Sequence, residues 1–173
     1  MKSGFTIIEI LVVLSITVLL TSLIITYSAA GRAQVALYIE ESKMGQIILK
    51  AKSLAIATYN DPSVPCGYGV NFNYANAQYV LFGYRAPDCK NISAIDPSDP
   101  GFSVIDQFDL SSLLNFGNGP GRIDSVFFLP PNPKTLIWTD GGNSSGSGEV
   151  YLETKNKSAA LGIQVTQGGQ VSF

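Results

Sequence analysis

Phe5-Thr6-Ile7-Ile8-Glu9-Ile10-Leu11-Val12-Val13-Leu14 follows a short leader, Met1-Lys2-Ser3-Gly4, and from Ile10 to Gly31 no residue is charged. As a helix, this run is long enough to cross about 30 Å of hydrocarbon at about 1.5 Å per residue. Glu9 is the one carboxylate near its start. Such a group costs at least ~2.5 kcal/mol to bury at the centre of a membrane helix, and less toward its end. A partner is therefore expected for it, or a route by which its side chain snorkels to the interface.

A cleaved secretory signal or a plain anchor is the ordinary reading, and Ser28-Ala29-Ala30 has the small residues of a cleavage site. Against it, the apolar region exceeds the usual h-region of about 7–15 residues. Its basic flank is Lys2 alone, and Glu9 serves neither role.

Gly4-Phe5-Thr6-Ile7-Ile8-Glu9 followed by a spanning run resembles the N-terminus of the type IV pilin and type II secretion pseudopilin family. The close match covers about the first thirty residues. The resemblance implies that a prepilin peptidase cuts between Gly4 and Phe5, removing leader 1–4, and methylates the new amine of Phe5. It also implies a partner for Glu9: the N-terminal amine of a neighbouring subunit, which fixes the stagger between subunits. Opposite charges in low dielectric attract strongly, and each alone is penalised.

Composition narrows the classes. The chain has 173 residues and a net charge of −2, and losing Lys2 with the leader makes it one unit more negative. No basic stripe is visible, so no nucleic-acid partner is expected. There is no histidine, which removes the commonest general base and the Ser-His-Asp and Cys-His arrangements. It also means that Cys66 and Cys89 cannot complete a Cys/His zinc site. No metal and no cofactor is expected, and catalysis is the least supported class. With the head outside the cytoplasm the two cysteines are free to form a disulfide. It would close a loop of about 24 residues and contribute roughly 3–3.5 kcal/mol by chain entropy.

The chain divides into a stalk and a head. Residues 5–31 form the membrane or filament-core helix and 32–60 its amphipathic continuation. In that continuation Val35, Ile39, Ile47, Ala51, Leu54 and Ala55 recur at helical spacing, with Glu40, Glu41, Lys43, Lys50 and Lys52 mainly between them. One helix from Phe5 to about Tyr59 spans roughly 80 Å, and Asn60-Asp61-Pro62 stops it. Gly31 and Gly45 are its weak points, each costing up to about 1 kcal/mol against alanine. Many pilins carry a mid-helix proline, whereas no proline precedes Pro62 here. That departure favours a minor pilin or minor pseudopilin.

Residues 61–173 read as a β-rich head. Tyr68, Val70 and Phe72 alternate with Gly67, Gly69 and Asn71, and with Gln78 to Arg85 they make a hairpin between the cysteines. Short strands are expected at 102–105, 123–129, 135–139, 149–153, 162–166 and 170–173, the last two joined by Gly168-Gly169. The fold class is α+β: a long N-terminal helix packed on a mostly antiparallel sheet, as in pilins generally. The C-terminal glycine-turn hairpin is loosely similar to the minor pseudopilin type, in which it closes the sheet.

Other candidate sites are weaker. Asp140 and Glu149 bound a polar loop of calcium-favoured oxygen donors, but EF-hand spacing is absent and a surface loop is the plainer reading. Asp96 and Asp99 are ordinary turn formers. Tyr68, Tyr74, Tyr79, Phe82, Tyr84 and Trp138 suit a core better than a ligand face. Asn91-Ile92-Ser93 and Asn143-Ser144-Ser145 match the N-glycosylation pattern.

The expected function is structural. The subunit is inserted with Lys2 in the cytoplasm and the head outside, and is then drawn into a pilus-like filament with other pilin or pseudopilin subunits. The family adds an assembly platform protein and an ATPase. The alternative is a membrane-tethered adhesin that keeps its leader and never polymerises.

Overall fold

This computed structural model describes residues 6–58, 65–89, 92, 95–131, 134–139 and 146–173, without the side chains of 26–30. The apolar run continues into a single helix, α1 (Ile7–Ala57, 51 residues), about 76 Å long at 1.5 Å per residue. A capping box starts it. Thr6 Oγ1 accepts from the Glu9 N–H, and the Glu9 carboxylate accepts from the Thr6 N–H and hydroxyl at 3.0 Å each. Both groups thereby satisfy donors that a helix start leaves unpaired. At the far end the Thr58 N–H and hydroxyl both bond to the Leu54 carbonyl. The helix ends slightly before Tyr59, and the expected stop at Asn60-Asp61-Pro62 lies outside the described residues.

Among the described residues nine strands follow: β1 (Gly67–Asn73), β2 (Gln78–Tyr84), β3 (Phe102–Asp109), β4 (Leu114–Phe116), β5 (Ile123–Leu129), β6 (Lys134–Thr139), β7 (Ser147–Thr154), β8 (Ala160–Thr166) and β9 (Val171–Ser172). They form two sheets, ordered β3-β2-β1-β5-β6 and β4-β7-β8-β9. Every ladder between named strands is antiparallel. The expected α+β class, a long helix on an antiparallel head, is what the chain adopts.

The antiparallel head is built of two sheets among the described residues. The β8–β9 hairpin belongs to the smaller sheet and does not close the larger one. Its Gly168-Gly169 turn places Gly169 at φ 68, a left-handed conformation that glycine adopts without a Cβ penalty. The hairpin between the cysteines forms as expected, from Gly67 opposite Tyr84 to Asn73 opposite Gln78. A disulfide between Cys66 and Cys89 joins its open end to the segment beyond β2.

Side-chain alternation splits the head's core into two layers. Tyr68, Val70, Phe72, Tyr79, Leu81, Val126, Phe128 and Ile137 share one cluster with helix residues Leu37, Met44, Ile48, Ala51 and Ala55. Phe82, Tyr84, Phe127 and Trp138 form the second layer, covered by Ala86, Ile92, Ile95 and Phe102. A register shift between Leu81 and Phe82 interrupts the pairing of β2 with β3.

The inner face of the helix differs from the expected one. Val35 and Ile39 are exposed, while Glu40 and Glu41 are buried with Ala33, Leu37, Met44, Ile48, Ala51 and Ala55. Val35 and Ile39 each precede an inner-face residue, Leu37 or Glu41, by two positions. At 100° per residue that offset places them on the opposite side. Gly45 is also not merely a weak point. A Cβ there would meet the Phe173 ring, so the glycine seats the C-terminal aromatic against the helix.

Candidate functional site

The candidate site is the helix itself, and three surfaces of it matter. The first is its N-terminal part. Ile7–Ile25 is long and apolar enough to cross a membrane, and none of it is buried by the rest of the chain. Its hydroxyls are satisfied internally: Ser15, Thr17 and Thr21 donate to the carbonyls of Leu11, Leu14 and Thr17 at 2.7–2.9 Å. No polar group of these side chains is therefore left to hydrocarbon without a partner. Glu9 lies in the first turn, at the positive end of the helix dipole. Gly4 and Phe5, the expected cleavage pair, lie outside the described residues.

The second surface faces away from the head. Val35, Tyr38, Ile39, Leu49 and Ile56 are all exposed. At 100° per residue Val35 and Ile39 fall on the side opposite Leu37 and Met44, and Tyr38, Leu49 and Ile56 fall on the flank beside it. The apolar character of the span thus continues up the outer face as far as Ile39, above which exposed Ser42, Gln46 and Ser53 share that side of the stalk with Leu49 and Ile56.

The third surface is the seam with the head. Glu40 is 6 % exposed and accepts from the Tyr79 hydroxyl at 2.9 Å and from Lys43 Nζ at 3.3 Å. The Lys43 ammonium also lies over the Phe108 ring, 5.2 Å from its centroid. Burial, and then the bonded carboxylate, push the Tyr79 phenol far above its usual value. Burial alone raises the carboxyl of Glu41. Higher up, Lys50 approaches Asp106 at 3.9 Å, and Lys52 donates to the Gly169 carbonyl at 2.9 Å. Sequence reading missed this seam. The available signal was the Tyr79 hydroxyl, which needs a partner once its ring is in the core.

In fold, the chain is similar to a solved pseudopilin. The structure of the minor pseudopilin EpsH from the Type 2 Secretion System of Vibrio cholerae matches 79% of this chain and 94% of that chain, at 14% identity and a TM-score of 0.47. No family model matches the chain, and no curated protein does.

Glu149 lies on β7, where its carboxylate accepts from the Tyr151 hydroxyl at 2.8 Å and so raises that phenol. Asp140 lies outside the described residues, as do Asn91, Ser93 and Asn143-Ser144-Ser145. Among the described residues no three acidic, cysteine or histidine side chains could jointly hold a metal ion. Asp96 and Asp99 act as turn formers. Asp96 accepts from the N–H and hydroxyl of Ser98, which hold its carboxyl low. Asp99 accepts from the Gly101 N–H and the Tyr84 hydroxyl. Of the named aromatics, Tyr68, Tyr79, Phe82, Tyr84 and Trp138 are core residues and Tyr74 is half-buried.

Proposed function

We propose that this chain is the precursor of a type IV pilin-like filament subunit, of the minor pilin or minor pseudopilin kind. The observation that carries the reading is the bare span with a lone carboxylate in its first turn, running unbroken into the stalk that supports the head. In this reading prepilin peptidase cuts after Gly4, and the methylated amine of Phe5 becomes the N-terminus. The Glu9 carboxylate already lies on the Thr6 N–H, one peptide bond from Phe5. Pairing with the amine of a neighbour exchanges that capping bond for an ion pair in low dielectric. The span sits in the cytoplasmic membrane with the head outside, until a platform protein and its ATPase drive extraction into a filament. There the helices form the apolar core and the heads the surface. The chain catalyses nothing itself.

The test is the mass of the N-terminal peptide of the native protein. A start at Phe5, with or without a methyl group, is expected. An intact Met1 or Lys2 start in cells with active peptidase would instead mean a tethered binding module, and a start at Gly31 an ordinary signal peptide. Glu9→Ala should insert normally and fail to assemble.

A further inference from the structure

We infer that, before extraction, the end of the head nearest the span docks on an anionic phospholipid surface through Lys155 and Lys157, beside Arg32 of the helix. This rests on the membrane-inserted state proposed above. The geometry sets the height. Arg32 follows Ile25 by seven residues, about 10 Å along the helix, and Ala33, the next residue, is already buried by the head. A bilayer of about 40–45 Å with a hydrocarbon core of about 30 Å leaves roughly 5–8 Å of headgroups on each side. The lower face of the head therefore meets the outer limit of the headgroup layer.

The elements on that face follow from the seam. Lys50 lies near Asp106 in mid-β3, whereas Glu40, further down the helix, bonds to Tyr79 at the start of β2. Descending the helix thus leads toward the β1–β2 turn. Leu110 N–H bonds to the Ala77 carbonyl at 2.9 Å, and Lys155 N–H to the Leu113 carbonyl at 3.0 Å. The β7–β8 turn therefore lies at the same end. Bonds from Lys157 N–H to the Thr154 carbonyl and from Ser158 N–H to Thr154 Oγ1 brace it.

Lys155 and Lys157 are both exposed, and Leu113 beside them exposes 43 % of its surface. Among the described residues three acids share this end, and one of them, Asp124, pairs with Arg122 at 3.7 Å. Asp109 accepts from Gln78 Nε2 at 2.6 Å, and Glu153 is half-buried. Arg32, Arg122, Lys155 and Lys157 stand against these three acids on the face turned to the bilayer, in a chain whose net charge is −2. Lysine stems can lie along apolar surface while their ammonium groups reach phosphates, and charges within about 8–10 Å of an anionic surface act on it at physiological salt.

The experiment is acetylation footprinting of the full chain, at one and at several copies per nanodisc, comparing phosphatidylcholine alone with about 30 % phosphatidylglycerol. Lys134, which starts β6 at the opposite end of the larger sheet, is the internal reference. Lys155 and Lys157 should react roughly three- to fivefold more slowly in the anionic discs. Lys134 should be unchanged, and the difference should vanish near 1 M salt, where screening acts over about 3 Å. Equal rates in both lipids would overturn the inference and leave membrane insertion intact. Slowing that tracks copies per disc, whatever the lipid, would make this face a contact between subunits and overturn it too. A chain that leaves the disc on washing would remove the membrane-inserted state itself.

Discussion

Glu40 is buried in the seam, where Tyr79 and Lys43 donate to its side chain at 2.9 and 3.3 Å. A hydrogen bond to a charged group is worth about 1.5–3 kcal/mol, more than an exposed ion pair at about 0–1 kcal/mol. Tyr79→Phe should therefore lower the stability of the chain by about 1.5–3 kcal/mol, measured by chemical denaturation in detergent. The loss should shrink in a Glu40→Gln background; equal losses in both backgrounds would mean that the phenol and the carboxylate are not coupled. Glu41 is buried without such compensation, and its carboxyl is raised. A raised acid binds its proton more tightly in the fold than in the unfolded chain. Its burden is absent below the unfolded value of 4.5 and grows as pH rises through the folded one. Glu41→Gln should accordingly raise the melting temperature at pH 7 by roughly 1–3 °C and leave it unchanged near pH 4. A gain of equal size at both values would assign the effect to packing and not to charge.

Secondary structure was legible where period and punctuation agreed. The apolar run and the stalk without proline announced α1, and the alternation between Gly67 and Phe72 announced β1 with its hairpin. β4 escaped because three residues, Leu114–Phe116, hold no readable period. Its pairing with β7 is a tertiary choice. The face of the stalk escaped for a related reason: apolar residues occupy both sides, and only contact with Tyr79 shows that Glu40 belongs inside. The anticipated role of Glu9 cannot be read in a single chain, since its proposed partner is another subunit. The cysteine pair was legible from the expected location of the head, but not the layer it protects. The segment that follows β2 carries Cys89 and covers Phe82, Phe127 and Trp138. Replacing both cysteines by serine should cost about 2–4 kcal/mol and loosen that cover. Trp138, 6 % exposed and the sole tryptophan, should then shift its emission to the red below the main unfolding transition. An unshifted spectrum up to global unfolding would mean that Ala86, Ile92 and Ile95 hold the cover without the bridge.

Two apolar faces on one stalk are the feature that a monomeric protein in water has no use for. The inner face is filled by the head, through Leu37, Met44 and Ile48 at 0–1 % exposure. The outer side exposes Val35, Ile39, Leu49 and Ile56, interspersed with Ser42, Gln46 and Ser53. A bilayer can cover Ile7–Ile25 but not Leu49, which lies 24 residues, about 36 Å, beyond Ile25. Other subunits can cover both, so the proposed filament explains the whole stripe where a tether explains only its lower half. Paired substitutions separate the two faces. Ile39→Glu places a charge on a side chain 61 % exposed and should change the stability of the chain by no more than about 0.5 kcal/mol. It should nevertheless abolish incorporation into filaments, because burying an unpaired carboxylate between helices is strongly unfavourable. Leu37→Glu, two positions away, should unfold the seam and prevent accumulation of the subunit altogether. The decisive measurement is the amount of Ile39→Glu protein in sheared filaments relative to its amount in the membrane. A normal ratio would remove the outer stripe from the assembly interface and return the chain to the tethered reading.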